Sequence, residues 1–263
     1  MEKKRFKISG EISINYTVYR PDKEKTSKKS FVIFIHGWMS SSNYFKDYFQ
    51  LLKKNKIPFI AIDLRGHGES GTPIGREEYK LNLMALDIKN VMRKEKIGKA
   101  ILLGHSMGGM IAQEFYKNWP KKVKAIILCN SSYRGPRKED IRWEHIQTKV
   151  KKMLRRTLKK KPIELREEFG FEKPVRPRSM VYAAMEVSKF DNHSLLEKIK
   201  VPVLIIAADH DEYFSKNIAF EMKKKIKNSE LRIYRTNHDA LRKKFNEASI
   251  EILSFVNRHL TEK

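Results

Sequence analysis

The sequence predicts an α/β fold in which an eight-stranded, mostly parallel sheet carries helices on both faces. Three observations lead to this prediction. Short apolar runs alternate with longer segments whose apolar residues recur at helical spacing, as when strands and helices succeed one another in a parallel sheet. Some runs, such as Phe31–Ile35, are apolar throughout, which is typical of strands buried on both faces. A chain of 263 residues, 40% of them hydrophobic, can also bury a large core.

Each element follows from its local pattern. The first two strands flank Gly10 and form an antiparallel hairpin, and the others are short apolar runs. The predicted strands cover residues 6–9, 12–19, 31–35, 57–62, 99–103, 123–128, 201–207 and 230–234. The helices are recognised by apolar residues three or four positions apart. They cover residues 44–54, 78–94, 107–118, 216–225 and 243–259.

The stretch 134–200 interrupts the alternation, because it is strongly charged, contains four prolines and has no buried-strand pattern. We expect a mainly helical cap here, inserted into a core formed by residues 1–133 and 201–263. Within it, apolar residues at helical spacing between 146 and 158 alternate with lysine and arginine and predict a basic amphipathic helix. That helix either packs on the domain below or acts as a lid that touches an anionic membrane or an acidic substrate.

The formal net charge of +25 is the outlying feature of the composition, and it implies attraction to anionic partners. The basic residues are spread along the chain and match no nucleic-acid-binding motif, so specific nucleic-acid binding is not expected. The single cysteine, Cys129, lies in an apolar run and has no partner for an internal disulfide. Because no leader pattern and no long uncharged apolar segment is present, a cytoplasmic location is expected.

Gly104-His105-Ser106-Met107-Gly108 fits the pattern G-x-S-x-G and follows an apolar strand directly. Small flanking residues permit a turn tight enough to project the serine hydroxyl from the end of the sheet. The backbone N–H groups of the helix that follows are then free to hold a developing negative charge. The segment is therefore a candidate for a nucleophilic serine.

A serine needs a base, and the base works best when a carboxylate orients it. Both should come from loops at the carboxyl end of the parallel strands, where Ser106 lies. The strand 201–207 is followed by Asp209, Asp211 and Glu212, and the strand 230–234 by His238. The chain order is thus serine, acid, histidine. The pattern alone leaves the choice among the three carboxylates open, because loop geometry decides which one reaches the imidazole.

These motifs resemble those of α/β-hydrolases of the serine esterase and lipase type. His36-Gly37-Trp38 resembles the family's oxyanion loop, residues 63–70 resemble its D-x-R-G-x-G-x-S loop, and Gly104–Gly109 resembles its nucleophile elbow. The resemblance implies an α/β-hydrolase sheet, Asp211 as the acid and His238 as the base. It also points to the backbone N–H groups of Trp38 and Met107 as the oxyanion hole. The side chains of Trp38, His105 and Met107 are expected to line the substrate pocket.

Two other patterns suggest cofactors. Residues 66–71 match G-x-G-x-x-G, but residues 72–75 follow in place of a helix whose N-terminus could hold a pyrophosphate. Four histidines and Asp63 are further candidates for metal ligands; the histidines are His36, His67, His105 and His210. Their spacing matches no recognised metal-binding motif. We therefore expect no cofactor and no catalytic metal.

The expected function is a cofactor-free serine hydrolase that acts on a small-molecule acyl substrate, with carboxylic esters as the first candidate class. Thioesters, lactones, monoacylglycerols and carbon–carbon bonds of diketones are alternatives that use the same residues. Epoxide hydrolase and haloalkane dehalogenase chemistry is disfavoured, because those relatives have aspartate at the position of Ser106. The alternative of another class is a hydrolase-like receptor that only binds its ligand.

Overall fold

The computed structural model describes residues 1–10, 12–21, 30–137 and 177–260. Its eight strands are β1 (Glu2–Ser9), β2 (Ile12–Tyr19), β3 (Phe31–Ile35), β4 (Phe59–Ile62), β5 (Ala100–His105), β6 (Val123–Cys129), β7 (Val203–Ala208) and β8 (Ser229–Tyr234). The α-helices among the described residues are α1 (Lys46–Lys54), α2 (Leu81–Lys94), α3 (Met107–Asn118), α4 (Pro177–Lys189), α5 (Lys216–Lys225), α6 (Ala240–Lys243) and α7 (Phe245–Leu260).

All eight strands form one sheet in the order β1-β2-β4-β3-β5-β6-β7-β8. The hairpin β1–β2 is antiparallel and joins β4 in an antiparallel pairing. Every pairing from β4 through β8 is parallel. The structure confirms the predicted α/β fold with an eight-stranded, mostly parallel sheet. The carboxyl ends of six parallel strands therefore share one edge, and their amino ends share the opposite edge.

Two layers of core cover the two faces of the sheet, because successive residues of a strand point to opposite faces. On β3, Ile33 packs with helices α2, α3 and α5, whereas Phe34 packs with α1 and α7. The central strand β5 is buried along its whole length, which is why its residues 100–103 are all apolar. Helix α2 is amphipathic and buries Met84, Ile88 and Val91 against the sheet.

Some helix boundaries differ from the sequence prediction. The predicted helix 78–94 begins as a 3₁₀ turn at Arg76–Tyr79, and α2 starts only at Leu81, because the backbone of Lys80 is extended (ψ 136°). The predicted helix 243–259 is divided into α6 and α7, which meet at Lys244. Hydrophobic spacing continues across both breaks, so periodicity alone could not locate them.

Within the predicted cap 134–200, the described residues form helix α4 and a 3₁₀ turn at His193–Lys198. The basic amphipathic helix predicted between 146 and 161 lies outside the described residues. Helix α4 contacts the core directly, since the hydroxyl groups of Ser179 and Tyr79 are hydrogen-bonded at 2.8 Å. In the part of the chain that the structure describes, no helix has both the length and the apolar character needed to cross a membrane.

Candidate active site

Ser106 lies between the last residue of β5 and the first residue of α3. Its backbone has φ 54° and ψ −121°, a region that L-residues rarely adopt and that costs on the order of 1–3 kcal/mol. The turn is held from both sides, because the Ser106 N–H donates to the Cys129 carbonyl (2.9 Å) and the Ser131 hydroxyl donates to the Ser106 carbonyl (2.8 Å). The surrounding structure thus maintains a strained serine at the carboxyl edge of the sheet.

The glycines of the G-x-S-x-G segment are required by close approach. A Cβ atom built on Gly108 would overlap the carbonyl oxygen of Ile35, and one built on Gly104 would overlap the backbone of Gly108. Helix α3 therefore packs against β3 and β5 with no room for side chains at these two positions. This packing fixes the start of α3 directly behind Ser106.

Ser106, His238 and Asp211 are connected by hydrogen bonds. The Nε2 atom of His238 lies 2.9 Å from the Ser106 hydroxyl oxygen. The Nδ1 atom of His238 lies 2.8 and 2.9 Å from the two carboxylate oxygens of Asp211. The three residues follow β5, β8 and β7, so the sheet brings Ser106 to two residues that are more than 100 positions away in the chain. The geometry allows His238 to accept the serine proton while Asp211 holds the ring.

Asp211 is buried and surrounded by donors. Besides His238, it accepts hydrogen bonds from Asn130 Nδ2 (2.9 Å) and from the backbone N–H groups of Tyr213 (2.9 Å) and Phe214 (3.1 Å). Burial by itself would raise the pKa of Asp211, but the neighbouring His238 and these hydrogen bonds lower the pKa below its ordinary value. The carboxylate is therefore held ionised. The amide of Asn130 is a partner that the sequence analysis missed.

The two other carboxylates have different positions. Asp209 accepts the backbone N–H of Thr236 at 3.0 Å and lies beside His210. Glu212 accepts the backbone N–H of His238 at 3.0 Å. Both support the loop that carries His238, and the carboxylate hydrogen-bonded to its imidazole is that of Asp211.

The candidate oxyanion donors lie on either side of Ser106. Met107 is the first residue of α3, where backbone N–H groups have no carbonyl partner within the helix. Gly37, which precedes Trp38, approaches Ser106 so closely that a Cβ atom on it would lie 3.1 Å from the Ser106 Cβ. The loop after β3 therefore lies against the elbow. The Met107 side chain is buried in the core, and the indole N–H of Trp38 donates to the Met180 carbonyl of α4 at 2.9 Å.

His105 does not occupy the position expected of a pocket residue. Its ring is buried and stacks on Tyr44 at 4.5 Å between ring centroids. Its Nε2 atom lies 3.0 Å from the backbone carbonyl of His238, to which it donates a hydrogen bond. Tyr44 in turn donates to the Asp239 carboxylate at 2.8 Å. His105 and Tyr44 thus hold the loop of His238 in place. This role depends on tertiary contacts, which the G-x-S-x-G motif does not indicate.

The G-x-G-x-x-G segment at 66–71 is a structural loop. Its interior is filled by the Asp63 carboxylate, which accepts the backbone N–H groups of Ser42 (2.7 Å) and Glu69 (2.9 Å). A Cβ atom on Gly68 would overlap that carboxylate. Most backbone donors of the loop are thus already paired: the Glu69 N–H with Asp63, and the N–H groups of Gly66, His67, Ser70 and Gly71 with backbone carbonyls. Among the described residues, no cluster of three or more histidine, cysteine or acidic side chains is arranged to bind a metal ion.

Three buried histidines near the site are held neutral. Burial lowers the pKa of His36 to about 4, and its Nε2 accepts the N–H of Leu64 at 3.1 Å, which requires an unprotonated nitrogen. Burial lowers the pKa of His67 and of His105 to about 3, with smaller contributions from the neighbouring His36 and His238 rings. None of these rings can take up a proton without losing its place in the fold.

Acid is therefore expected to destabilise the protein as the unfolded state takes up protons on these three histidines. Each histidine has a folded pKa below its unfolded value of about 6.5, so the unfolded state binds more protons. The resulting stability is present above pH 6.5 and is lost as the pH falls towards 4. From pH 7 to pH 5, the free energy of unfolding should fall on the order of 2 kcal/mol for each histidine. Urea unfolding at the two pH values measures this loss. His36→Gln should show a smaller loss than wild type, and equal losses in the two proteins would refute the assignment.

Comparisons with known proteins agree with this architecture. A profile described as the alpha/beta hydrolase fold matches residues 31–168. The chain is 30% identical over 226 residues to the AB hydrolase superfamily protein YisY of Bacillus subtilis, covering 76% of this chain and 81% of that protein. It is 32% identical to epoxide hydrolase 4 of Mus musculus, but over only 39% of this chain and 28% of that protein.

Among solved structures, the esterase EaEST from Exiguobacterium antarcticum superposes with a TM-score of 0.79 at 22% sequence identity. The superposition covers 94% of this chain and 96% of that one. The likeness of fold therefore extends over almost the whole chain.

Proposed function

This chain belongs to the alpha/beta hydrolase fold family, and we propose that it cleaves a carboxylic ester through an acyl-enzyme formed on Ser106. Membership of the family makes it an enzyme of the hydrolase class. The observation that carries the more specific proposal is the hydrogen-bonded series from Ser106 through His238 to Asp211.

In the proposed mechanism, the Ser106 oxygen attacks the ester carbonyl while His238 Nε2 accepts the hydroxyl proton. The new negative charge on the carbonyl oxygen is held by the backbone N–H groups of Trp38 and Met107, and one such donor typically contributes about 3 kcal/mol. His238 then gives its proton to the departing alcohol. Asp211 stabilises the imidazolium that forms between these two transfers.

Deacylation repeats the sequence with water. His238 takes a proton from a water molecule, the hydroxide attacks the acyl carbonyl, and the Ser106 oxygen leaves and regains the proton. Every proton passes through His238, and no cofactor is needed. This route uses a serine hydroxyl as the nucleophile, whereas epoxide hydrolases have aspartate at the position of Ser106. Ester cleavage is therefore favoured over the epoxide chemistry for which the mouse relative is named. Thioesters, lactones, monoacylglycerols and diketones are alternative substrates for the same residues.

We propose further that residues 134–200 form a cap over this site. Support comes from helix α4, whose Met180 carbonyl accepts the indole N–H of Trp38 and whose Ser179 hydroxyl bonds to Tyr79. These contacts link the segment to the loop that carries a proposed oxyanion donor. The cap would then set the size of the acyl and alcohol groups that reach Ser106.

A fluorophosphonate probe tests the proposed nucleophile directly. At pH 8, the folded protein should form a covalent adduct, and peptide mass spectrometry should locate it on Ser106. A panel of p-nitrophenyl esters of increasing chain length should give hydrolysis that the probe inhibits in parallel with labelling. Folded protein that neither labels nor hydrolyses any ester would favour the alternative of a receptor that binds without catalysis.

A further inference from the structure

A strongly basic surface lies at the edge of the sheet opposite the candidate active site. We call this surface the basic edge. It consists of the five described turns that precede β4, β5, β6, β7 and β8. These turns are residues 53–58, 93–99, 117–122, 197–202 and 223–228. Because these five strands are parallel neighbours through β3, their amino ends lie side by side. Together the five turns contain fifteen lysines and one arginine, but only two acidic residues.

The opposite edge has no such excess. The described segments that follow the strands are 36–45, 63–80, 130–137, 209–216 and 235–244, and they hold ten basic and eight acidic residues. The charge of the described residues is therefore polarised along the strand direction. A lysine-rich composition spread evenly over the surface would not produce this difference.

The charges of the basic edge are available to a partner. Fourteen of its sixteen basic residues are exposed, and the other two, Lys122 and Lys225, are partly exposed. Its two acidic residues are already engaged: Glu95 is buried and bonded to Lys4 and Arg20, and Glu197 pairs with Lys225 at 3.1 Å.

Stabilisation of helix ends explains only part of this pattern. Lysine and arginine are favourable in the last turn of a helix, where the macrodipole is negative. Half of the sixteen basic residues lie in the last turns of α1, α2, α3 and α5. The other half lie beyond the α-helices, where no macrodipole requires them: Lys56, Lys96, Lys99, Lys121, Lys122, Lys198, Lys200 and Lys227.

The spacing makes the charges act together. Neighbouring strands lie about 4.8 Å apart, so the row from β4 to β8 is about 25 Å long. The Debye length at physiological ionic strength is about 8 Å, so turns on directly neighbouring strands lie within one screening length. The turns before β4 and β5 flank β3 and lie about 10 Å apart, close to one screening length, so the potentials still add along the row. The result is an extended positive ridge rather than a set of isolated cations.

We propose that the basic edge docks the protein on an anionic phospholipid bilayer, with the candidate active site facing away from it. The contact is electrostatic, since the exposed large apolar side chains of the described residues lie outside these turns. A nucleic acid fits less well. Lysine predominates over arginine, and the one aromatic residue of the turns, Trp119, is packed against Phe115 and covered by Lys89 instead of offering a stacking surface.

Vesicle sedimentation with matched charge variants tests the proposal. The edge variant carries Lys54→Glu, Lys96→Glu, Lys121→Glu and Lys224→Glu. The control carries the same change of charge at four exposed lysines of the other edge: Lys46→Glu, Lys80→Glu, Lys216→Glu and Lys243→Glu. Vesicles of equal parts phosphatidylglycerol and phosphatidylcholine are compared with pure phosphatidylcholine at low and high salt, after thermal unfolding has shown that each variant is folded.

Wild type should bind the anionic vesicles and not the neutral ones, and high salt should weaken binding at least about tenfold. Each lysine near an anionic surface strengthens binding about fivefold, so the edge variant, which loses four of them, should bind more than about a hundredfold more weakly while the control stays within about threefold of wild type. Equal losses in both variants would mean that net charge alone acts. Undiminished binding by the edge variant would place the contact elsewhere. A DNA or RNA duplex that binds wild type more tightly than the vesicles through the same four lysines would replace the membrane by a nucleic acid.

Discussion

Replacement of Ser106 by alanine should lower kcat/KM for a p-nitrophenyl ester by on the order of 10⁵- to 10⁶-fold. Alanine keeps the Cβ atom and the strained turn but provides no oxygen to attack the carbonyl. Binding is expected to change little, because the hydroxyl contributes mainly to the transition state. The fold should be retained, since the backbone bonds of Ser106 to Cys129 and Ser131 do not involve its hydroxyl.

Ser131→Ala is the matched control for this variant. Its hydroxyl bonds to the Ser106 carbonyl, so the change removes a serine hydroxyl from the same turn without touching the proposed nucleophile. We expect a loss of less than about tenfold, of the size of one ordinary hydrogen bond. Steady-state kinetics and thermal unfolding are measured on both proteins. An S106A protein that is folded and hydrolyses esters at the wild-type rate would overturn the mechanism.

Asp211→Asn is expected to lower kcat about 10⁴-fold, the scale at which loss of the acid's charge acts in enzymes of this chemistry. Asparagine has the shape of aspartate and can still accept the two backbone N–H groups of Tyr213 and Phe214 at its oxygen. It has no negative charge, however, to stabilise the His238 imidazolium. The effect should therefore appear in kcat, and thermal unfolding should report a smaller loss from the bond that Asn130 Nδ2 donates to the carboxylate.

The variant Asp209→Asn tests whether the effect is specific to Asp211 or follows from the loss of any carboxylate in this loop. Asp209 accepts the N–H of Thr236 and has no contact with the His238 ring. Asparagine can maintain that bond, so activity should remain within about threefold of wild type. If D209N instead loses activity and D211N does not, the acid has been assigned to the wrong residue.

The sequence predicts the sheet well because its strands are buried. Strands such as β5 are buried on both faces, so consecutive residues such as 100–103 must all be apolar. The approximate meeting of Ser106, Asp211 and His238 was also accessible, since residues at the carboxyl ends of parallel strands share an edge. Local pattern and global topology agree at these positions.

Other features depend on contacts that have no local signature. The orientation of His105 is decided by Tyr44 and by the His238 carbonyl, more than 50 and 130 residues away in the chain. Asn130 reaches Asp211 only because β6 lies beside β7. The choice among the three carboxylates after β7 likewise depends on the course of the loop, which brings the Asp211 carboxylate to the imidazole of His238. Side-chain direction within loops, not the identity of the elements, was the information missing from the sequence.

The hydrogen bond from the Trp38 indole to the Met180 carbonyl has a consequence for how this protein could diversify. The backbone N–H of Trp38 is a proposed oxyanion donor, and its side chain is hydrogen-bonded to helix α4. Changes in the cap that reposition α4 are therefore transmitted to the donor. A substitution near Met180 that suits a new substrate would therefore also act on the loop that carries the proposed donor, and so on turnover of the old substrate.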